Sequence, residues 1–399
     1  MERTWRWFGI DDPITLDMLR QIGVQGIVTA LHDVPNGQVW QRESIRRLRE
    51  YIESRGMRWR VVESLPVVES IKYGGPDRDE QIDRYRQSLV NLAQEGIRTV
   101  CYNFMPVLDW ARTDLSHPNP NGATSLFFSR VQFAYFDIYI LQRPGAADDY
   151  TPETVSQAAE MRRTMTADDD HRLVENIIVK TQGFVSGNIS ERDTHPVERF
   201  RHLLSLYKGI DKDRLRCNMR YFLDAVMPVC DKWDIDLCVH PDDPPFPILG
   251  LPRIVTCSDD IDWLLQAVDN RHNGLTFCAG SLSAGAHNDV VNMAKKYANR
   301  TRFVHLRSCH VFPNGDFTEA SHLGGRANIV ELVRIFESCD PQLSMRVDHG
   351  MTMLGDERRS YNAGYSFLGR MFALAQVQGI ITTVDNELGI NYRQPGFYD

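Results

Sequence analysis

The segment Val239–Pro245, with the sequence VHPDDPP, decides how the chain can fold. An apolar run ends in this segment, and a histidine, two aspartates and three prolines follow it. Proline lacks the backbone N–H that a central strand needs, so the segment predicts the end of a strand. An imidazole and two carboxylates therefore lie at the carboxyl end of that strand.

Three later apolar runs end in the same way. They are Thr276–Gly280, Phe303–Arg307 and Met345–Gly350, and each is typical of a short buried strand with a polar tip. The possible metal ligands at the four strand ends are His240, Cys278, His305 and Asp348.

The rest of the chain repeats helix, glycine and strand at intervals of about 33 to 40 residues, which is the pattern of consecutive βα units. Four earlier strands are predicted, at Trp5–Phe8, Gly26–Leu31, Trp59–Glu63 and Thr99–Phe104. Together with the four later strands they make eight units, and a last helix is predicted over 365–377. The sequence therefore predicts an α/β chain folded as a (β/α)8 TIM barrel.

Regularity stops between residues 115 and 208, after the fourth strand. This segment is polar, with aromatic patches and acidic runs, and it has helical patterns but no clear strand. We expect a long, mainly helical insertion that packs over one end of the barrel. Residues 1–399 would then form a single barrel domain that includes the insertion 115–208.

Composition excludes several kinds of partner. With 399 residues, of which 42% are hydrophobic, the chain can bury a large core. Its net charge of −8 argues against a general nucleic-acid surface, and no apolar run approaches the roughly 20 residues that span a bilayer. The eight cysteines include no CxxC pair and resemble the reduced thiols of cytoplasmic proteins. We expect a cytoplasmic homo-oligomer, a dimer, without nucleic-acid or membrane partners.

In a parallel barrel all strands end on one face, where ligands from four strands can meet. Two imidazoles, a thiolate and a carboxylate suit Mn(II), Fe(II), Co(II) or Zn(II). Each residue also has a structural alternative: a hydrogen-bonded histidine, a buried hydrophobic thiol or a helix-capping aspartate. Asp242 and Asp243 can replace one ligand or shape the turn, and we prefer the turn.

Two arginines lie beside these candidates. Strand alternation places Arg307 on the side of His305 and Arg346 on the side of Asp348. Buried arginines are costly without anions, and a bound acidic substrate would supply one.

The sequence also resembles the mannonate dehydratase family, whose barrel is similar to that of xylose isomerases. The residues that carry the resemblance are Thr4–Phe8, Val28–His32, Val100–Trp110, Val239–Pro252, His305–Ser308 and Asp348–Gly350. The resemblance covers the chain from Trp5 to about Leu374, while Ser186–His195 and the tail after Thr383 depart from the family pattern.

The resemblance implies that D-mannonate loses water to give 2-dehydro-3-deoxy-D-gluconate, a step of hexuronate (glucuronate) catabolism. It also implies one Mn2+ or Fe2+ ion per chain, held by His240, Cys278, His305 and Asp348. A metal-dependent sugar isomerase and a non-catalytic sugar-acid-binding protein remain the alternatives.

The reaction needs a base for the C2 proton and an acid for the leaving hydroxyl. We predict that His349 and Tyr365 fill these roles, as the resemblance also implies, with Arg346 stabilising developing charge. The alternatives are a core tyrosine and a histidine that orients Asp348. The residues predicted to bind substrate are Arg307, Asn103, His32 and His322. His322 shares a loop with His310 and Glu319, and this loop either closes over the sugar or is a solvated loop.

Overall fold

The computed structural model describes residues 1–182, 189 and 193–390. Its centre is a closed barrel of eight parallel strands, in the order β1, β12, β9, β8, β7, β4, β3, β2. The predicted α/β (β/α)8 barrel is therefore confirmed. The barrel strands are β1 (Glu2–Arg6), β2 (Gly26–Thr29), β3 (Arg58–Glu63), β4 (Thr99–Tyr102), β7 (Asp236–Val239), β8 (Asn273–Cys278), β9 (Thr301–Leu306) and β12 (Ser344–Val347).

Helices follow the strands and cover the outside of the barrel. Their bounds are α1 (Leu16–Gln21), α2 (Arg42–Glu53), α3 (Glu69–Tyr73), α4 (Arg78–Gln94), α9 (Lys212–Trp233), α10 (Ser258–Ala267), α11 (Ala279–Ser283), α12 (Val290–Tyr297), α13 (Ile329–Cys339) and α14 (Phe367–Leu388). Single 3-10 turns lie at Ala298–Arg300 and Asp356–Arg358.

The strand ends differ slightly from the predicted ones. The first strand is predicted from Trp5 but begins at Glu2, which pairs with Ser344 of β12 and whose carboxylate contacts Arg60 of β3 at 2.6 Å. The hydrophobic pattern predicts a loop at the charged residue Glu2, but this ion pair neutralises that charge within the strand. The strand then ends at Arg6, so Trp7 and Phe8 belong to the loop at the carboxyl end of the barrel.

The predicted last helix ends at residue 377, whereas α14 continues to Leu388. Ile381 and Val384 stay buried along this extension, so packing carries the helix past Gly379. By length and composition alone α14 is apolar enough to cross a membrane, although the sequence analysis finds no such stretch. Its buried residues belong to the core between the barrel and its helices, which accounts for its apolar character.

The insertion contains strands that the sequence analysis did not find. An antiparallel sheet in the order β10, β11, β6, β5 joins the insertion to the segment after β9. Its strands are β5 (Asp114–Pro118), β6 (Thr124–Phe128), β10 (Cys309–Val311) and β11 (Phe317–Glu319). The pattern missed β5 because this edge strand is polar and half-exposed, without apolar alternation.

The remainder of the described insertion is helical. It comprises α5 (Arg130–Tyr135), α6 (Pro152–Met161), α7 (Ala167–Val174), α8 (Pro196–Ser205), π-helical turns at Phe136–Leu141 and Glu175–Lys180, and a 3-10 turn at Ala146–Asp149. A second hydrophobic core, which includes Phe128, Phe133 and Phe317, packs these helices against the small sheet. The segment Ser186–His195, which departs from the family pattern, lies largely outside the described residues. The division into one domain with an insertion at 115–208 stays a prediction.

Candidate active site

The pairing of neighbouring barrel strands places the predicted ligands at the same height along the barrel axis. Cys278, the last residue of β8, pairs with His305 of β9, and His305 pairs with Arg346 of β12. His240 directly follows β7, and its ring centroid lies 5.1 Å from that of His305. Side chains from β7, β8, β9 and β12 therefore meet at the carboxyl end of the barrel.

His240, Cys278 and His305 form a cluster in which one ligand atom from each residue lies within 4.8 Å of the others. The His240 Nδ1 atom lies 2.7 Å from the carbonyl oxygen of Pro241, an acceptor, so Nδ1–H donates and Nε2 keeps its lone pair. His305 Nε2 is buried and makes no well-aligned hydrogen bond among the described residues, although the Glu63 carboxylate lies 3.4 Å away. Ser281 donates to Cys278 Sγ from its hydroxyl at 3.2 Å. These donors fit a divalent transition metal.

Asp348, the fourth predicted ligand, lies at the edge of this three-residue cluster. Its Oδ2 atom is 3.7 Å from Cys278 Sγ. The same carboxylate pairs with Arg346 at 2.6 Å and with Arg307 at 3.1 Å. Burial alone would raise the pKa of Asp348, but Arg346, His349 and Arg307 hold it well below its usual value. The group is therefore an anion that already has two cationic partners.

Glu63, at the end of β3, closes the opposite side of the cluster. It accepts hydrogen bonds from Arg346 at 2.8 and 3.0 Å, and its Oε2 lies 3.4 Å from His305 Nε2. Burial opposes ionisation of Glu63, yet Arg346 and His305 outweigh this effect and keep its pKa well below the usual value. Arg346 is thus fixed between two carboxylates, Glu63 and Asp348.

Arg307 is held in a second buried ion-pair network with Arg112, Asp243 and Glu319. Arg307 contacts Asp243 at 2.6 Å and Glu319 at 3.2 Å, and Arg112 contacts the same two carboxylates at 2.7 and 2.6 Å. Burial would raise the pKa of Glu319, but Arg307 and Arg112 lower it to about 2. Asp243 therefore anchors an arginine pair, while Asp242 accepts backbone hydrogen bonds from Ile254 and Val255.

These contacts change the interpretation of the two arginines. A bound acidic substrate was expected to neutralise them, but carboxylates of the chain itself surround both guanidinium groups. The four carboxylates are Glu63, Asp243, Glu319 and Asp348. The roles predicted for Arg307 in substrate binding and for Arg346 in catalysis stay predictions. The ion pairs of both arginines indicate that they position the neighbouring carboxylates and histidines.

His349 and Tyr365 lie side by side next to this network. Their rings meet edge to face with centroids 5.0 Å apart. His349 Nδ1 faces Arg307 at 2.9 Å and Glu319 at 3.3 Å, whereas its Nε2 lies 3.8 Å from Asp348 Oδ1, so Nε2 is the less closely held of the two nitrogens. Burial raises the pKa of Tyr365 to about 12, against the opposing charge of Arg346. Tyr365 is therefore a neutral phenol at physiological pH.

The other predicted substrate-binding residues lie in different surroundings. Asn103 follows β4 and hydrogen-bonds to the buried carboxyl group of Asp109, whose pKa burial raises. His32 is exposed on the wall of a cleft of about 1050 Å³ that Gly364 also lines. His322 is buried, and its Nε2 atom has no hydrogen-bond partner among the described residues.

The segment after β9 is therefore not a solvated loop throughout. Glu319 lies at the end of β11 with none of its surface exposed, and His322 is 3% exposed. His310, in β10, is exposed. A closing movement of this segment over a sugar stays a prediction.

Burial of His322 predicts a pH-dependent stability. Burial lowers the pKa of His322 from 6.5 to about 4, despite the nearby carboxylates. The unfolded chain takes up this proton below pH 6.5, whereas the folded chain does so only near pH 4, so stability present above pH 6.5 is lost as the pH falls towards 4. At about 1.4 kcal/mol per pKa unit the loss is about 3 kcal/mol.

The variant His322→Gln is expected to lack this contribution. Urea unfolding at pH 7 and pH 4.5 should show a smaller fall in the free energy of unfolding for the variant than for the wild type. Equal falls in both proteins would show that His322 does not titrate in this range.

The layer of side chains below the cluster is apolar. Val28, Val61, Cys101, Cys238 and Phe303 form a separate interior group in which every side chain is buried. Four of them lie two residues before a polar strand end, on the same face of the strand, as alternation requires. This layer closes the barrel beneath the site, so ligands enter from the carboxyl end.

Comparison with known proteins shows which family the chain resembles. A profile described as D-mannonate dehydratase (UxuA) matches residues 1–391. A mannonate dehydratase of Marinomonas sp. (strain MWYL1) is 45% identical over 390 residues, which are 95% of this chain and 98% of the relative. The chain belongs to the mannonate dehydratase family. The predicted family and its hydro-lyase class are therefore confirmed.

Two further members of the family agree with this assignment. The mannonate dehydratase of Chromohalobacter salexigens is 43% identical over 393 residues, covering 96% of this chain and 99% of the relative. The crystal structure of mannonate dehydratase from Streptococcus suis serotype 2 matches with a TM-score of 0.80 and 31% identity, over 100% of this chain and 99% of that one. The similarity thus includes the insertion as well as the barrel.

Sequence reasoning missed the residues that hold the site together. Arg112 lies in a polar segment just before β5, and no strand-end rule singles it out. Arg6, the last residue of β1, belongs to a block that carries the family resemblance, but an arginine inside a strand gave no sign of a role. Both are buried charges, and burial of a charge is the property that a single sequence does not display.

Proposed function

We propose that the chain removes water from D-mannonate to give 2-dehydro-3-deoxy-D-gluconate at the site that His240, Cys278 and His305 define. The observation that carries this proposal is the three-ligand cluster with Asp348 at its edge, because the next residue in the chain, His349, packs against Tyr365. Membership of the mannonate dehydratase family supports the same reaction.

Three residues would hold the metal, and Asp348 would complete the set. A divalent ion is implied by the family and fits the nitrogen and sulfur donors, and we propose Mn2+ or Fe2+. When bound, such an ion supplies a Lewis acid that stabilises negative charge on an oxygen of the substrate. Glu63 and Arg346 fix the His305 side of the cluster through their mutual ion pair.

The residues of the chain supply the proton transfers. The reaction breaks the C2–H bond and the C3–O bond and forms a C2–C3 double bond, which then rearranges to the ketone. Tyr365 keeps its proton up to a pKa of about 12, so we assign it the protonation of the leaving hydroxyl. His349 takes part in the other transfer through Nε2, while Arg307 and Glu319 hold its Nδ1 edge.

One assay tests this function against both alternatives. The protein is incubated with D-mannonate and Mn2+ or Fe2+, with and without a chelator, and the 2-keto-3-deoxy product is measured. Formation of the product, lost on chelation, is the expected result. A product that is a ketose isomer would favour the sugar isomerase, and binding without turnover would favour the sugar-acid-binding protein.

We also propose a cytoplasmic location for this enzyme and a dimeric assembly. All eight cysteines are free, which supports a reducing compartment. Its substrate would be a small sugar acid, and the absence of nucleic-acid and membrane partners stays a prediction. Gel filtration with light scattering tests the dimer directly.

A further inference from the structure

Binding of an aldonate requires a cation for its carboxylate. Arg307 and Arg346 are poor candidates, because each is already paired with two or more carboxylates of the chain. Arg370 is also committed, since it donates to the backbone oxygens of Ser366, Tyr365 and Arg6.

Arg6 differs from these arginines. It is only 5% exposed, and its Nη1 atom is buried without a hydrogen-bond partner. Among the residues that the structure describes, no carboxylate forms an ion pair with it. A buried guanidinium without an anion is costly, so its retention calls for a ligand that supplies one.

Register shows where this side chain points. Arg6 pairs with Val28 of β2, and Val28 belongs to the apolar layer inside the barrel. Paired residues of parallel strands project to the same side of the sheet, so Arg6 also faces the barrel interior. As the last residue of β1, it lies at the end of the barrel where the predicted ligands meet.

Ring contacts place Arg6 beside the acid–base pair. Its guanidinium carbon is 5.1 Å from the centroid of the Phe8 ring, and that ring lies 4.9 Å from the ring of Tyr365. The Phe8 ring also contacts His32, on the wall of the open cleft, at 5.8 Å. The Phe8 ring therefore links Arg6 both to Tyr365 and to His32 on the wall of the cleft.

We propose that Arg6 binds the carboxylate of the aldonate through its free Nη1 edge and selects sugar acids over neutral sugars. This inference rests on the proposed function, because it takes an aldonate as the ligand. A carboxylate there would accept a charge-assisted hydrogen bond from Nη1, which has no partner among the described residues. Removal of the C2 proton increases negative charge on that same carboxylate, so Arg6 would also favour the reaction.

The test compares D-mannonate with its neutral amide, D-mannonamide, which has nearly the same shape. Calorimetry on the metal-loaded protein is expected to give the wild type at least about tenfold tighter binding of the acid than of the amide. Arg6→Gln should lose most of this preference, with a similar rise in KM for D-mannonate. Arg60→Gln is the matched control. It removes a partly exposed guanidinium of β3 that pairs with Glu2, the first residue of β1.

Several results would overturn the proposal. A folded Arg6→Gln protein with unchanged KM and unchanged preference for the acid would do so. If Arg6→Gln does not fold, Arg6→Lys replaces it: this variant keeps the charge but loses the fork of donors, and an unchanged preference would contradict the proposal. A wild type that forms no keto product would end the proposed function, whereas the acid-versus-amide comparison would still test Arg6 by itself.

Discussion

Replacing Cys278 by serine is expected to remove most of the bound metal and to lower turnover of D-mannonate on the order of 10³-fold. Serine has nearly the same shape, but its hydroxyl is not a thiolate and is a weak ligand for these ions. The pocket should persist, because Cys278 is buried at the end of β8 among residues fixed by strand pairing. Metal content per chain is measured by plasma mass spectrometry beside the rate of keto-product formation.

A matched control separates loss of a ligand from loss of a thiol. Cys339→Ser makes the same chemical change at an exposed position in α13 and should leave both measurements unchanged. His240→Asn should behave like Cys278→Ser, since it removes a second nitrogen or sulfur donor of the cluster. Full metal content and full turnover in both ligand variants would refute the metal site.

Replacing Tyr365 by phenylalanine is expected to keep the metal and lower turnover by roughly 10²–10⁴-fold, the usual range for lost acid–base catalysis. The aromatic ring, which packs edge to face against Phe8 and His349, remains in the variant. Only the phenolic hydroxyl is lost, and with it the proton that it donates. The expected signature is a fall in kcat with little change in KM, because the phenol acts mainly in the transition state.

Tyr221→Phe is the comparison for this second variant, because Tyr221 is an exposed tyrosine of α9. It should match the wild type in metal content and in turnover. Wild-type kcat in Tyr365→Phe would remove Tyr365 from the reaction. Loss of metal together with turnover would instead assign it a structural role at the ligand cluster.

The sequence predicted the barrel and the common location of the candidate ligands because both follow from local patterns. Short apolar runs that end in His240, Cys278 or His305 define strand ends, and a parallel barrel places all such ends on one face. The pairing of Arg346 with Glu63 was beyond this reasoning, because it depends on which strands become neighbours across the barrel. Glu63 ends the predicted third strand, and the structure gives it Arg346 as a partner.

The insertion was predicted less well for a related reason. Its strand β5 is polar and becomes a strand by pairing with β6, which in turn pairs with β11 from a distant part of the chain. Arg112 likewise gains its role from two carboxylates that are far away in sequence. A single sequence shows the residues that make such long-range contacts, but it does not show which of them pair.

The shared sheet has a consequence for biosynthesis. As the polypeptide leaves the ribosome, the β5–β6 hairpin, which ends at Phe128, emerges long before β11, which ends at Glu319, so one edge of β6 has no partner strand while the residues between them are made. Exposed strand edges attract other chains. Nascent molecules of this enzyme should therefore depend on chaperones, or on low growth temperatures, until β11 has been made.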